Sequence, residues 1–245
     1  MAGSDRRAPA GGRAPLVIAA TQPPCRSSDV AVNVAAHAAT VRAAGARVVV
    51  FPELSLTGYE LDAPAVGTGD AALAPLVEAC VDTGSLALVG APVRDADGRA
   101  SIATMAVDGT GATVAYRKRY LHGDEFDRFS PGGKPVVIDV DGWRLGLAIC
   151  RDTGVPQHAA DTAALGMDAY VAGVLHRADE VAVIEERARR VATDHGVWVA
   201  VASFAGSTGG GFDRAAGCSG IWAPDGTMVT RAGTDVGAVA RATLG

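Results

Sequence analysis

The stretch PVVIDVDGWRLGLAICRDTGVP (135–156) decides the fold. Its apolar runs break at Asp141–Gly142, a two-residue hairpin signal, so a strand is expected on each side of that turn. The second strand ends in LGLAIC, a continuous apolar run of the kind found in strands covered on both faces. Arg-Asp-Thr-Gly-Val-Pro follows, and residues 156–165 read as a helix. A hairpin feeding a doubly buried strand and then a helix belongs to a layered α/β fold with mixed sheets.

The flanking sequence repeats this pattern. LVIAA (16–20), RVVVF (47–51) and LALVGAPV (86–93) are buried strands separated by helical segments. One helix carries Val30, Val34, Ala38 and Val41 at helical spacing, with Ser27 or Ser28 as its N-cap and Gly45 as its C-cap. The other spans 70–83 with Leu73, Leu76, Val77 and Cys80 inward. IATMAVD and ATVAYRK (102–108, 112–118) are strands split by the turn GTG. Downstream come a strand over 167–174, a long helix over 178–196 and the buried strand VWVAVASF (197–204). A glycine-rich segment (207–217) is expected to be mobile, and CSGIWA, TMVTRA and GAVAR close the chain as short strands.

The chain has 245 residues, 49% hydrophobic and 20% charged, and carries 22 basic and 27 acidic side chains for a net charge of -5. That length hides roughly 70–75% of the unfolded surface, which excludes a disordered chain or a small disulfide scaffold. The acidic balance leaves no basic footprint for nucleic acid. No apolar run approaches the roughly 20 residues that span a bilayer. The four cysteines, at 25, 80, 150 and 218, form neither a CxxC pair nor a zinc pattern, so no metal site and free thiols in a reducing cytoplasm are expected. Residues 1–15 read as a disordered Ala/Gly/Pro/Arg tail and 16–245 as one domain. Arg6–Arg7 suggests a twin-arginine signal, but the apolar run Leu16–Ala20 is too short for one, and a cytoplasmic location is expected.

Cys150 stands at a strand-to-helix junction, where helix N-terminal dipoles stabilise a thiolate. A thiol nucleophile also needs a base and an electrostatic partner. The five histidines, at 37, 122, 158, 176 and 195, show no local signature. FPELSLTGY (51–59) places Glu53 directly after a buried strand, and YRKRYLHGDEFDRFSPGG (116–133) places Lys118 at the end of another with Glu125 seven residues on. Taken singly, these are a structural cysteine, a solvated loop acid and a basic turn. Cys25, Cys80 and Cys218 keep the structural reading.

Together the segments resemble the nitrilase superfamily of carbon–nitrogen hydrolases, nearly the whole chain from residue 16 being covered. FPELSLTGY resembles its first-glutamate motif, YRKRYL its lysine motif, LAICRDTGVP its cysteine motif with Gly166 and Asp168 at the later spacing, GDEFDRFSPG its second-glutamate segment, and GCSGIWAPDGTMVTRAG its closing hairpin. The resemblance implies a four-layer α-β-β-α sandwich, a homodimer, and a Glu53-Lys118-Cys150 triad with Glu125 as second glutamate. It implies hydrolysis of a small linear amide to a carboxylic acid and ammonia through a thioester, with no metal or organic cofactor. The alternatives are an N-carbamoyl amine hydrolase, a nitrilase, or a catalytically silent binding protein of the same fold. A cysteine redox enzyme is disfavoured by the lack of a resolving cysteine, and an acyltransferase could intercept the same thioester. Lys118 near the thiol is expected to lower its pKa from about 8.5. The pocket would be lined by loops near Tyr59, 122–133, 174–179 and 204–216, with Arg151 able to pair a substrate carboxylate or merely a local acid such as Asp152 or Asp124. Departures from the family pattern are Arg151 for an aromatic residue, Gln157 and Ala160 for a Glu and Arg lost together, the run Val191-Ala192-Thr193-Asp194-His195 in the late helix, and Ser203 at the end of the next strand.

Overall fold

The computed structural model describes residues 13–245. In chain order the elements are β1 (Leu16–Thr21), α1 (Val30–Ala44), β2 (Val48–Val50), α2 (Ala74–Thr83), β3 (Leu86–Arg94), β4 (Ala100–Asp108), β5 (Gly111–Arg117), β6 (Val137–Val140), β7 (Trp143–Ile149), α3 (Pro156–Ala164), β8 (Ala169–Val174), α4 (Val181–His195), β9 (Trp198–Ser203), β10 (Ala205–Gly206), β11 (Ala215–Ala216), β12 (Gly220–Trp222), β13 (Met228–Arg231) and β14 (Val239–Leu244). They build two six-stranded sheets, ordered β14-β1-β2-β3-β4-β5 and β13-β12-β9-β8-β7-β6. In each, three parallel strands form the middle and antiparallel strands the flanks.

Strand periodicity explains why the apolar runs are unbroken. Successive side chains point to opposite faces. In β7 and β8, Leu145, Leu147, Ile149 and Val171 enter the core between the sheets, while Ala148, Tyr170 and Ala172 face α3 and α4. In β2, Val48 and Val50 face the second sheet and Val49 packs under α1 and α2 with Val34, Val41 and Leu76. The result is the four-layer α-β-β-α sandwich expected from the sequence.

The Asp141–Gly142 hairpin forms with positive φ at both residues, 53° and 82°, the twist that suits a two-residue loop. Gly45 is the left-handed C-cap of α1, but its N-cap is Asp29 rather than Ser27 or Ser28: the carboxylate accepts from Val32 N at 3.1 Å. The late helix starts at Val181 rather than 178, because Arg177–Glu180 closes a turn first. Within 207–217, Ala215 and Ala216 pair with Gly206 and Ala205. Of the expected tail, residues 1–12 lie outside the described residues, and Arg13 sits 3.5 Å over the Trp143 ring while pairing with Asp168. No helix among the described residues is long and apolar enough to cross a membrane.

Candidate active site

Glu53, Lys118, Glu125 and Cys150 come together beyond the C-terminal ends of β2, β5 and β7, where open α/β sheets place their sites. Glu53 sits in the loop leaving β2. That loop is squeezed between the two sheets over two glycines: a Cβ on Gly90 of β3 would lie 2.4 Å from Pro52 O, and one on Gly173 of β8 2.5 Å from Phe51 O. Lys118 follows β5, its N–H donating to Ile102 O at 2.8 Å and its carbonyl accepting from Gly132 N at 2.7 Å. Cys150 is not the last residue of β7. It opens a single 3-10 turn, Cys150–Gly154, with φ at 41°, a left-handed conformation that costs a non-glycine residue about 1–3 kcal/mol. Its Sγ lies 3.4 Å from Leu175 O.

The charges are arranged around one ammonium. Lys118 Nζ donates to Glu53 Oε1 at 2.7 Å and to both oxygens of Glu125 at 2.7 and 2.8 Å. All three side chains are buried. Glu125 also accepts from the Tyr59 hydroxyl at 2.7 Å and from His122 N at 2.9 Å. Glu53 Oε2 is buried without a hydrogen-bond partner.

Burial pulls the Lys118 pKa down, but Glu53, Cys150 and Glu125 outweigh it, and the ammonium is held above its ordinary value. Burial lifts Glu53 to about 7 against the pull of Lys118. The thiol behaves differently from the sequence expectation. Burial, then the charge of Glu53, pushes the Cys150 pKa up, and Lys118 offsets only part of this. The reason is charge balance: two carboxylates already flank one ammonium, so a resting thiolate would add a second net negative charge to a dry site. The resting thiol is therefore neutral.

Asp152, which the sequence reading considered only as a partner for Arg151, ties the nucleophile turn to the lysine strand. Its buried carboxylate accepts from Ile149 N and Tyr120 N at 2.9 Å each and from the Tyr116 hydroxyl at 2.7 Å. Tyr116 also meets His158 Nε2 at 2.8 Å, and His158 Nδ1 meets the Tyr170 hydroxyl at 2.8 Å. With Tyr116 donating to Asp152, Nε2 carries the His158 proton. A cavity of about 270 Å³ opens above the cysteine, with Glu53, Glu125 and Cys150 at its floor. Tyr59 and Arg151 line it. His176, Arg177, Glu180 and Arg187 line it too, and of these Glu180 and Arg187 lie outside the loops named from sequence. Among the described residues no group of three or more His, Cys, Asp or Glu side chains is placed to hold a metal ion.

The sequence profile of the family described as Carbon-nitrogen hydrolase matches residues 17–244. The chain belongs to the carbon–nitrogen hydrolase family. A Pseudomonas protegens protein named "Hydrolase in pqqF 5'region" is 33% identical over 229 residues, covering 89% of this chain and 79% of that one. An (R)-stereoselective amidase of a Pseudomonas species is 29% identical over 160 residues, covering 60% of this chain and 55% of that one. A cysteine-to-serine variant of the Nesterenkonia AN1 amidase, from the nitrilase superfamily, superposes with a TM-score of 0.84 at 25% identity, covering 94% of this chain and 92% of that one. Another structure of that amidase contains acrylamide added to its active-site cysteine.

Proposed function

We propose that this carbon–nitrogen hydrolase is an amidase that converts a small linear amide to a carboxylic acid and ammonia. The observation that carries the reading is the buried Glu53-Lys118-Glu125 array beside a cysteine on a strained turn. Cys150 Sγ attacks the amide carbon while Glu53, through its unpartnered Oε2, takes the thiol proton. Lys118 and the Arg151 backbone N–H face the oxyanion that forms. Glu53 then passes the proton to the departing nitrogen, the C–N bond breaks, and ammonia leaves a thioester. Water attacks the thioester with Glu53 as base, the C–S bond breaks, the proton returns to sulfur, and the acid departs. Glu125 holds Lys118 by two hydrogen bonds and Tyr59 by a third. Tyr59 and Arg151 contact the substrate at the cavity wall.

The two amidases named above support amides over nitriles or carbamoyl amines. The test is ammonia release across a panel of linear amides, ω-amides, N-carbamoyl amines and nitriles. Wild type is expected to turn over amides, and Cys150→Ala to turn over none while keeping its fold. A folded wild type that binds amides without releasing ammonia would leave a silent binding protein as the answer.

A further inference from the structure

The cavity has a charge gradient that amide chemistry alone does not require. Its floor carries Glu53 and Glu125 with Lys118 buried behind them, for one net negative charge, while Arg151, Arg177 and Arg187 line it toward its more exposed side against the single acid Glu180. Two of the charged groups on that side have partners. Glu180 accepts from Arg177 N at 2.8 Å and lies 3.6 Å from His176 Nδ1. The Arg177 guanidinium sits 4.7 Å over the Phe212 ring.

Arg187 is placed differently. It comes from α4, and its guanidinium fills the space above Gly154, where a Cβ would lie 2.8 Å from Cζ and 2.9 Å from Nη2. The glycine in the nucleophile's own turn thus admits a cation from another element. The nearby acids of α4 are engaged elsewhere: Glu185 pairs with Arg231 and Glu186 with Arg190. Among the described residues Arg187 makes no ion pair, although it is only partly exposed. Its field reaches the cavity: after burial, Arg187 is the leading cause that lowers the His176 pKa to about 4, so this imidazole is neutral near pH 7.

We infer that the amide cleaved here carries an anionic group, a carboxylate in its simplest form, which Arg187 holds on the cavity's more exposed side together with Arg151. A guanidinium presents the planar fork that matches a carboxylate. The cavity of about 270 Å³ has room for an amide and a carboxylate joined by a short spacer. The inference rests on the amidase reading and names its substrate class. It also gives the arginine role raised for Arg151 a second and better-buried bearer.

The test compares glutaric acid monoamide with 5-methylhexanamide, in which an isopropyl group replaces the carboxylate. Wild type is expected to favour the acidic amide. Arg187→Gln is expected to reduce the acidic-to-neutral ratio of kcat/KM by about 10- to 100-fold, the scale of one charged hydrogen bond. The loss should appear in KM more than in kcat, with Arg187→Lys recovering part of it. A wild type that cleaves both amides equally, or an Arg187→Gln variant with an unchanged ratio, overturns the anion anchor and leaves the amidase intact. Ammonia from neither amide nor from any other in the panel overturns both.

Discussion

Removing the one buried ammonium strands both carboxylates. Lys118→Ala would leave Glu53 and Glu125 facing each other without the ammonium that bonds to both. Breaking a buried pair by deleting one partner costs about 3–5 kcal/mol, and losing one oxyanion donor costs about 100- to 1,000-fold in kcat. Lys118→Ala is therefore expected to lose at least 100-fold in kcat and to melt earlier, as read by steady-state kinetics and thermal unfolding. Lys118→Arg should not rescue kcat, because a planar fork cannot stand where one ammonium bonds two carboxylates; near-native kcat in that variant would remove Lys118 from the chemistry. The base titrates where it can be measured. Glu53 is raised from 4.5 to about 7, so kcat/KM is expected to rise through about pH 7 as the carboxylate forms. The same shift sets stability: a carboxyl whose folded pKa is raised stabilises the fold most below 4.5 and loses that contribution as pH climbs to about 7. Glu53→Gln should lose both the ascending limb and the activity, and a flat profile in wild type would point to a different base. The positions of Glu53, Lys118 and Cys150 were legible because each follows a strand and the motifs fall in family order. The direction of the thiol pKa was not, since it depends on how many carboxylates share one lysine in the folded site.

At the scale of elements, the loop carrying Glu53 depends on glycines that never touch the reacting atoms. Gly90 lies in the middle of β3 and Gly173 one residue before the end of β8, one from each sheet, and the Phe51–Leu54 backbone threads between them. A methyl on Gly90 would lie 2.3 Å from Leu54 N and one on Gly173 3.0 Å from Glu53 N; such contacts force the loop or the strand to move. Gly90→Ala and Gly173→Ala are expected to lower kcat by at least about 100-fold, since a misplacement near 1 Å costs that much. Gly67→Ala, with nothing within 4 Å of its added Cβ, serves as the control and should keep both activity and melting temperature. Full activity in either strand variant would mean that the Glu53 loop tolerates displacement. The signal for these glycines was present, because an isolated glycine inside a strand marks close backbone approach, but which backbone approaches is tertiary information. The same limit explains the α1 cap. Ser27, Ser28 and Asp29 are all competent caps, and only the chain's path, with Ser28 N donating to Thr57 O at 2.7 Å, leaves Asp29 at the helix start. Arg187 over Gly154 joins two elements 33 residues apart and has no local signature at all.

At the scale of the whole molecule, the site is assembled from both sheets. Glu53 and Lys118 follow strands of the first sheet and Cys150 follows one of the second. β14, from the end of the chain, pairs with β1 and so completes the first sheet after the second has been built. The core between the sheets includes Ile18, Val50 and Leu88 from one side and Leu145, Leu147 and Val171 from the other. If residues 16–245 act as one domain, neither sheet can unfold without exposing that shared core. Separate probes can follow the two sheets. Trp143, Trp198 and Trp222 all lie in the second, so tryptophan fluorescence follows that sheet, far-ultraviolet circular dichroism follows both, and ammonia release follows the seam between them. All three are expected to change in one urea transition. Leu147→Ala should shift the three midpoints together, because a buried leucine truncated at the sheet interface costs about 2–5 kcal/mol wherever the loss is read. Fluorescence and circular dichroism parting into two transitions would divide the chain into two folding units. Activity lost well before either would instead assign the site a local opening, with the loops that carry Glu53 and Cys150 separating while the sheets stay packed.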